Sequence, residues 1–295
     1  MKYRKPGSID REVSVIGLGT WQFGGEWGYD FSQYEVDAIV DTARETGINL
    51  VDTAECYGDH LSEKFLGNSL KKDRESWFLG TKFGHHFHGA FDRTPDFTGL
   101  GLIKQVEDSL KSLQTDYIDL LQFHSGDDDD FKTPGLWDAA ADLVKQGKVK
   151  HLGISVKNSG SMEQINSASA IGAEVIQIVY NRLDQNPEKE ALPACLAQNL
   201  GVLARVPLAS GFLSGKYKPG ATFAEGDVRS RHKTEEVNRR LAEVHRILAE
   251  EVPSGVDMAV WALAWCLRHP AVTSVIPGCK NPDQLRKNAS AAELL

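Results

Sequence analysis

An acid, an amine, an imidazole and a phenol, Asp52, Lys82, His124 and Tyr57, stand at or just past apolar runs that read as β-strands. The runs are Ile48-Asn49-Leu50-Val51, Trp77-Phe78-Leu79-Gly80-Thr81 and Ile118-Asp119-Leu120-Leu121-Gln122-Phe123, and Tyr57 follows the first of them in the turn Asp52-Thr53-Ala54-Glu55-Cys56-Tyr57-Gly58. Strand ends are where parallel-sheet enzymes keep their chemistry, so this spacing gathers the four at one rim of a barrel. Such a group suits delivery of a proton to a carbonyl oxygen. A free tyrosine titrates near pKa ~10 and is a weak acid at neutral pH. A lysine ammonium beside the phenol is expected to lower that value by stabilising the phenolate, while an aspartate keeps the amine charged and aimed. Asp52, Lys82 and Tyr57 therefore read as a relay, and His124 is expected to donate a hydrogen bond to the substrate oxygen as negative charge grows there.

None of these side chains can supply a hydride, so a cofactor must. No Gly-x-Gly-x-x-Gly follows the first strand. Ile16-Gly17-Leu18-Gly19-Thr20-Trp21 is only a glycine-containing strand end, and a Rossmann-type site is not supported. A better phosphate cradle lies late in the chain, where Ser274-Val275-Ile276-Pro277-Gly278-Cys279-Lys280 reads as a strand running into a turn and Asn281-Pro282-Asp283-Gln284-Leu285 opens a helix. Pro282 and Asp283 suit a first helical turn, whose free backbone N–H groups, with Lys280 beside them, are expected to form an anion site after the last strand.

The segments Gly17-Leu18-Gly19-Thr20-Trp21, Asp52-Thr53-Ala54 with Tyr57-Gly58 and Ser62-Glu63, Thr81-Lys82, and Gln122-Phe123-His124 stand in order along the first half of the chain. Gly153-Ile154-Ser155, Gln177 with Tyr180-Asn181, Pro207-Leu208-Ala209-Ser210-Gly211, and Ile276-Pro277-Gly278 with Gln284 and Asn288 continue the series to its end. On that ordered set the chain resembles an aldo-keto reductase over nearly its whole length. The resemblance implies a catalytic tetrad of Asp52, Tyr57, Lys82 and His124, with Tyr57 the general acid in reduction and, as phenolate, the base in oxidation. It implies NADPH, or NADH, lying extended across the barrel mouth. Gly19, Thr20 and Asp52 would then lie near the nicotinamide and its ribose, with Ser155 and Gln177 on the carboxamide. Trp21 would wall the substrate pocket beside Tyr57 and His124. Pro207, Leu208, Ser210, Gly211, Leu213, Ser214 and Lys216 would wrap the diphosphate, and Gly278, Lys280, Gln284 and Asn288 would surround the adenosine end.

Two positions depart from the family's pattern. Many members follow the counterpart of Ser155 with asparagine, where Val156 stands here without a polar side chain. An aromatic residue from the seventh strand often stacks on the nicotinamide, and Arg205 takes that place. A guanidinium can stack flat on a ring, but it should repel the cationic oxidised nicotinamide more than the neutral reduced one. Lys280 is the best handle for a 2′-phosphate, with no second basic residue at Gly278 or Gln284.

The elements needed to hold these residues are legible as alternating strand and helix signals, which imply a parallel sheet with right-handed crossovers. Candidate barrel strands run near Ile16–Leu18, Asn49–Asp52, Trp77–Lys82, Ile118–Phe123, Val149–Ser155, Val175–Val179, Val202–Val206 and Ser274–Ile276. Val13-Ser14-Val15-Ile16 and an earlier short run are expected to form a hairpin over the barrel floor. Val36, Ile39, Val40 and Ala43 form a helical stripe that Gly47 ends, and Leu102, Val106, Leu110 and Leu113 form another. Gly211, Gly215, Pro219, Gly220 and Gly226 read as a mobile loop able to close over cofactor, ahead of a helical stretch at Glu235–Glu251. The expectation is an α/β protein in which residues 1–295 form a single (β/α)8 TIM barrel with a short N-terminal β-hairpin.

Composition bounds the rest. With 295 residues, 41% hydrophobic and 25% charged, usage is ordinary for a globular protein. Cys56, Cys195, Cys266 and Cys279 show no paired spacing, which favours reduced thiols in a cytoplasmic enzyme. No stretch has the ~20 apolar residues that span a bilayer, and Met1 to Pro6 lacks a signal-peptide core. A net charge of −8 argues against a nucleic-acid surface. The expected partner is a small carbonyl compound, and no oligomeric state is implied.

Other clusters read as structural. His85, His86 and His88 are expected to line the site mouth and not to ligate metal, and Asp127 to Asp130 read as a solvated loop, so no metal is assigned. Cys56 reads as a small apolar side chain, Trp261, Trp265 and Leu267 as core, and Trp27 and Tyr29 as either pocket wall or packing. The functional expectation is reduction of aldehydes or ketones. A dehydrogenase of sugars or other alcohols running the same tetrad backwards, a cofactor-binding redox-sensing subunit, and a barrel isomerase without nicotinamide remain alternatives.

Overall fold

The computed structural model describes residues 1–157, 161–223 and 227–295. Two short strands, β1 (Tyr3–Arg4) and β2 (Val13–Ser14), pair antiparallel at the N-terminus. They precede β3 (Leu18–Gly19), β4 (Leu50–Asp52) and β5 (Phe78–Phe83), then a second hairpin, β6 (His85–Gly89) and β7 (Asp92–Pro95). β8 (Ile118–His124), β9 (Val149–Ser155), β10 (Ala173–Val179), β11 (Gly201–Arg205) and β12 (Ser274–Val275) complete the set. β3, β4, β5, β8, β9, β10, β11 and β12 form one parallel eight-stranded sheet in that order. A parallel bridge between Ile16 and Val275 brings the two edges together, with Gly17 N–H donating to Val275 O at 2.8 Å and Val275 N–H to Val15 O at 3.0 Å. The sheet is a (β/α)8 barrel, as the alternation of elements predicts.

The helices start and stop where local chemistry dictates. Ser32 and Glu35 form a reciprocal capping box at the head of helix Gln33–Glu45, and Gly47, at φ 76°, carries the left-handed turn just past its end. Helix Gly99–Leu113 turns Leu102, Val106, Leu110 and Leu113 inward, as its sequence stripe requires. Asp127 caps the short helix Asp128–Phe131, so the acidic run is a helix start and not a featureless loop. The Pro207–Ser254 segment is shorter in true loop than its glycines imply. Ala209–Ser214 is helical-turn backbone, interrupted at Ser210 and Gly211, and Thr234–Glu250 is a long helix. Gly226 lies outside the described residues.

Side chains alternate across a strand, so every second residue of a barrel strand points to the axis. Leu50, Phe78, Leu120, Val175, Leu203 and Ile276 pack together as one apolar layer there, joined by Ile9 and Val13 from the N-terminal hairpin. The hairpin therefore plugs the barrel floor, as expected from sequence, and Arg4 ties it down by donating to Val272 O and Leu267 O. Two residues further along the same strands, the axial positions are Asp52, Gln122, Gln177 and Arg205, with Lys82 two beyond Gly80. The polar layer thus sits on an apolar floor by the period of two alone.

Ile9 is fully buried in that floor layer and touches no group of the polar layer. Ile9→Ala is expected to cost about 2–5 kcal/mol of stability, as for other large-to-small core changes. Urea unfolding followed by circular dichroism reads this, and the folded variant should keep wild-type cofactor affinity.

Candidate functional site

Lys82 is the centre of the polar layer. Its Nζ donates at 2.8 Å to Asp52 Oδ2, at 2.6 Å to Thr53 O and at 3.2 Å to Tyr57 Oη. All of an ammonium's donors are thereby used on acceptors, and the group is held charged, its pKa raised against a strong opposing effect of burial. Because Lys82 donates to the phenol oxygen, the Tyr57 hydroxyl proton remains to point elsewhere. The other oxygen of Asp52 accepts from Gln122 Nε2 at 3.0 Å and Gln177 Nε2 at 2.7 Å. Gln177 Nε2 also donates to Gln122 Oε1 at 2.9 Å, and Ser155 Oγ lies 3.5 Å from Gln177 Oε1. Gly80 and Gly153 make room for this network, since a Cβ on Gly153 would approach Gln122 Cγ to 3.2 Å.

The Tyr57 acidity departs from the sequence expectation. Lys82 acts in the expected direction, but burial outweighs it and the phenol is pushed up to about 12. Desolvation of the phenolate exceeds its stabilisation by one ammonium already shared with Asp52. His124, at the end of β8, is half-buried, and desolvation followed by the charges of Lys82, His85, Arg93 and Arg205 holds its imidazole well below the usual range. Its Nδ1 lies 3.6 Å from Cys56 Sγ and 3.9 Å from Glu55 Oε2, and His85 Nε2 donates to its carbonyl at 2.7 Å.

A cavity of about 670 Å³ opens above the layer. It is lined by Asp52, Tyr57 and His124, and by Gly19, Thr20, Trp21, Ser155, Gln177 and Arg205. Pro207, Leu208, Ser210, Gly211, Ser214 and Lys216 line its second flank, and Gly278, Lys280, Gln284 and Asn288 its third. The residues singled out from sequence are thus brought to one cavity, with two exceptions. Lys82 lies beneath it, fully buried. Leu213 is turned away: its side chain packs with Phe212, Val237, Leu241 and Met258, and its N–H donates to Leu208 O. Leu213 therefore does not wrap anything in the cavity by its side chain or its amide.

The helix-start anion site is also less open than expected. Asn281 caps helix Pro282–Ser290 by accepting from Gln284 N–H at 3.0 Å, and Gln284 Oε1 accepts from Lys280 N–H at 2.9 Å. One first-turn donor, and the N–H of Lys280 just ahead of the cap, are thus already bonded, which leaves the Lys280 side chain as the main attraction for an anion. Gln177 likewise spends its amide N–H groups inside the network, so only Oε1 of that side chain is left for a ligand. Val156 points into the core, and its carbonyl accepts from Arg205 Nη2 at 3.2 Å.

Several site residues were missed by sequence reasoning. Gln22 donates to Gly19 O and Cys279 O, both at 3.0 Å, stapling the ends of the first and last barrel strands, and its amide fills the place a Cβ on Gly278 would take. Glu26 joins Trp21 Nε1 to the Arg93 guanidinium. Trp27 meets Trp21 edge-on at 5.3 Å and lines the cavity, while Tyr29 lies outside it on Phe31 and Glu35. The motif residues Ser62 and Glu63 are structural: Ser62 Oγ donates to Thr20 Oγ1 at 2.9 Å, and Glu63 accepts from Thr81 Oγ1 at 2.6 Å. No local sequence signal marks Gln22 or Glu26, because their partners are supplied by distant strands.

His85, His86 and His88 alternate along β6 and reach separate partners, His124 O, Asp96 and Thr94. Of the three, His85 lines the cavity. No described helix is long and apolar enough to cross a membrane.

A parallel barrel with a charged, hydrogen-bonded cluster at the carboxyl ends of its strands, beneath an elongated cavity, has the build of a barrel oxidoreductase. The family model described as aldo/keto reductase family matches residues 15–295, and the chain belongs to that family. It is 32% identical over 295 residues to an uncharacterized oxidoreductase, YqkF, of Bacillus subtilis, covering 99% of this chain and 91% of the relative. An aldo-keto reductase from Bacillus halodurans, solved in its holo form, superposes with a TM-score of 0.83 at 30% identity, covering 99% of this chain and 91% of that one. A glycerol dehydrogenase from Gluconobacter oxydans gives 0.82 at 29% identity, with 98% and 89% covered.

Since the folded state holds His124 neutral while an unfolded imidazole titrates near pKa ~6.5, acidification below that value protonates the unfolded chain first and drains stability. The His124 ring signals in NMR are expected to show no protonation at pH 6, where an exposed imidazole is mostly cationic. A midpoint at or above the ordinary value would contradict the burial described.

Proposed function

We propose that the whole chain acts as one barrel unit that reduces aldehydes or ketones to alcohols with a nicotinamide cofactor, NADPH being favoured over NADH. The observation that carries this reading is the phenol of Tyr57, bonded on its oxygen by a buried ammonium and lining a cavity of about 670 Å³ that also takes in Lys216 and Lys280. The cavity fits an anionic cofactor, since Lys216, Lys280 and Lys287 stand in its lining. A bound dihydronicotinamide supplies the hydride.

The residues of this chain do the remaining work. Nδ1 of His124 faces Cys56 and Glu55, which leaves Nε2 to hydrogen-bond the substrate oxygen and hold the carbonyl against Tyr57. A neutral imidazole does this as an N–H donor without adding a charge that would compete for the proton. Tyr57 gives its hydroxyl proton to that oxygen, and Lys82 stabilises the phenolate as it forms. Asp52 keeps Lys82 aimed, and Gln122 with Gln177 keeps Asp52 aimed. Trp21 and Trp27 wall the substrate end and exclude water.

A pKa of about 12 means the phenol is fully protonated throughout the ordinary pH range, so the proton needed for reduction is present. The reverse reaction needs phenolate, which becomes more abundant as pH rises towards that value. Alcohol oxidation is the second reading, favoured by the likeness to a glycerol dehydrogenase. The two share every residue role and differ in direction.

Arg205 ends β11 at the cavity wall, where Asp52 acts on its guanidinium without a close ion pair between them. It is expected to favour the neutral reduced ring over the cationic oxidised one.

Tyr57→Phe is expected to lower kcat for carbonyl reduction by about 10²–10⁴-fold while leaving NADPH binding, read by fluorescence, within a few-fold. Wild-type kcat/KM for reduction should show no fall attributable to Tyr57 between pH 7 and pH 9. Turnover surviving in the Phe variant would refute the assignment. Arg205→Phe should shift the affinity ratio of reduced to oxidised cofactor towards the oxidised form, and an unchanged ratio in paired titrations would overturn that role.

A further inference from the structure

The proposed reaction uses one edge of His124 and leaves the other against two groups that the reaction does not need. Glu55 Oε1 accepts from His85 N–H at 3.1 Å, but Glu55 Oε2 is buried and meets no hydrogen-bond donor. An unpaired buried carboxylate oxygen is costly, and burial pushes this carboxyl above the usual range. Cys56 Sγ, also buried, lies 3.6 Å from His124 Nδ1, and Glu55 Oε2 lies 3.9 Å from the same nitrogen. The three ligand-type atoms fall within 4.8 Å of one another. A thiolate at about 2.3 Å and an imidazole nitrogen at about 2.0–2.1 Å from one tetrahedral zinc stand roughly 3.5 Å apart, which the sulfur and nitrogen already do. Against Nδ1, the carboxylate oxygen at 3.9 Å needs to close by about half an ångström to reach the matching tetrahedral spacing.

We propose that Glu55, Cys56 and His124 form a binding site for one soft or borderline divalent cation of the zinc class, set behind the catalytic imidazole. Its fourth position is left for water. The local charges choose the type of ion. Lys82, His85, Arg93 and Arg205 all act on His124 and oppose a cation there. Binding is therefore coupled to deprotonation of Cys56 and Glu55, whose two negative charges balance the metal. A hard ion such as magnesium does not draw a proton from a buried thiol, whereas zinc and cobalt do. A second cavity, of about 520 Å³, has Glu55, His60, His85 and His86 in its lining and so reaches the Glu55 side of the site. Coordination at Nδ1 leaves Nε2–H as the donor facing the substrate, so the site would pin the imidazole and not displace it.

The sequence alone hides this site because its ligands combine a Glu-Cys pair in one turn with a histidine from a strand end far along the chain. The metal assignments weighed from spacing looked instead at local runs of histidine and aspartate.

Cobalt(II) titration of the purified, metal-free protein tests the proposal without reference to turnover. A thiolate-to-cobalt charge-transfer band should grow to saturation at one equivalent, release protons, and be displaced by zinc. Cys56→Ser should abolish the band although Cys195, Cys266 and Cys279 remain, and Glu55→Gln should weaken cobalt binding by about tenfold or more. Unchanged thermal unfolding of the Cys56→Ser protein would show that its fold is intact. A missing band in the wild type, a band that survives Cys56→Ser, or binding indifferent to Glu55→Gln would each overturn the site. Because the readout is spectroscopic, its failure leaves the carbonyl-reductase reading untouched, and failure of that reading leaves the cobalt result to stand alone.

Discussion

A charged amine buried at the axis of a barrel is the constraint around which the upper half of this protein is arranged. An ammonium taken out of water is tolerated only where its charge and its donors are matched, and removing one partner of such a pair typically costs about 3–5 kcal/mol. Lys82 meets the condition with a carboxylate, a main-chain carbonyl and a phenol oxygen, each from the β4 end or the turn after it. The turn cannot relax without stranding the ammonium. Thr20, Thr53 and Ser62 form a chain of hydroxyls behind it, and Gly24 lets the next loop pack directly on the backbone of Tyr57. The geometry around Tyr57 and the local stability of that rim are the same set of bonds.

The amine also explains why a second ring of amides surrounds Asp52. A carboxylate that gave both oxygens to one lysine would be free to pivot, and the phenol would lose its aim. Here one oxygen faces Lys82 while the other is clamped by Gln122 and Gln177 from two further strands. Gly80 and Gly153 are the sheet's concession to that clamp, since side chains at those axial positions would fill the space the amides need. Below this ring the same strands present Leu50, Phe78, Leu120, Val175, Leu203 and Ile276, backed by Ile9 and Val13, so the ammonium rests on an apolar layer.

Much of this could be read before any coordinates. The eight strands fall within a residue or two of their sequence limits because apolar runs bounded by turn residues mark them, and the alternation with amphipathic helices fixes their parallel pairing. The four polar residues at strand ends were legible for the same reason, being polar where the pattern calls for apolar. What the sequence hid depends on distance in space. Leu213 reads as part of a glycine-rich wrap, yet it is the apolar anchor holding that wrap to helix Thr234–Glu250. At the head of helix Pro282–Ser290 the N–H groups of Lys280 and Gln284 look free in sequence and are taken by the side chains of Gln284 and Asn281. Gln122 looks like a strand residue until Asp52 is found against it. The β6–β7 hairpin carries histidines and no alternating apolar pattern, so nothing in the sequence marks it as strand.

The largest correction concerns acidity, and it changes what the lysine is for. One charged neighbour was expected to make the tyrosine a stronger acid, but the same burial that strengthens the ion pair also penalises the phenolate, and the penalty wins. Lys82 then does not prepare an ionised tyrosine in the resting protein; under the proposed reaction it limits how unfavourable ionisation becomes once a substrate oxygen is ready to take the proton. A resting site with a protonated phenol and a neutral imidazole carries no mobile charge on either group that faces the substrate. Charge appears there only as the bond to hydrogen forms, which is when Lys82 and the imidazole N–H have the most to contribute. Under the proposed reaction, that timing favours the transition state over either resting partner, and it follows from burial as much as from the identity of the four residues.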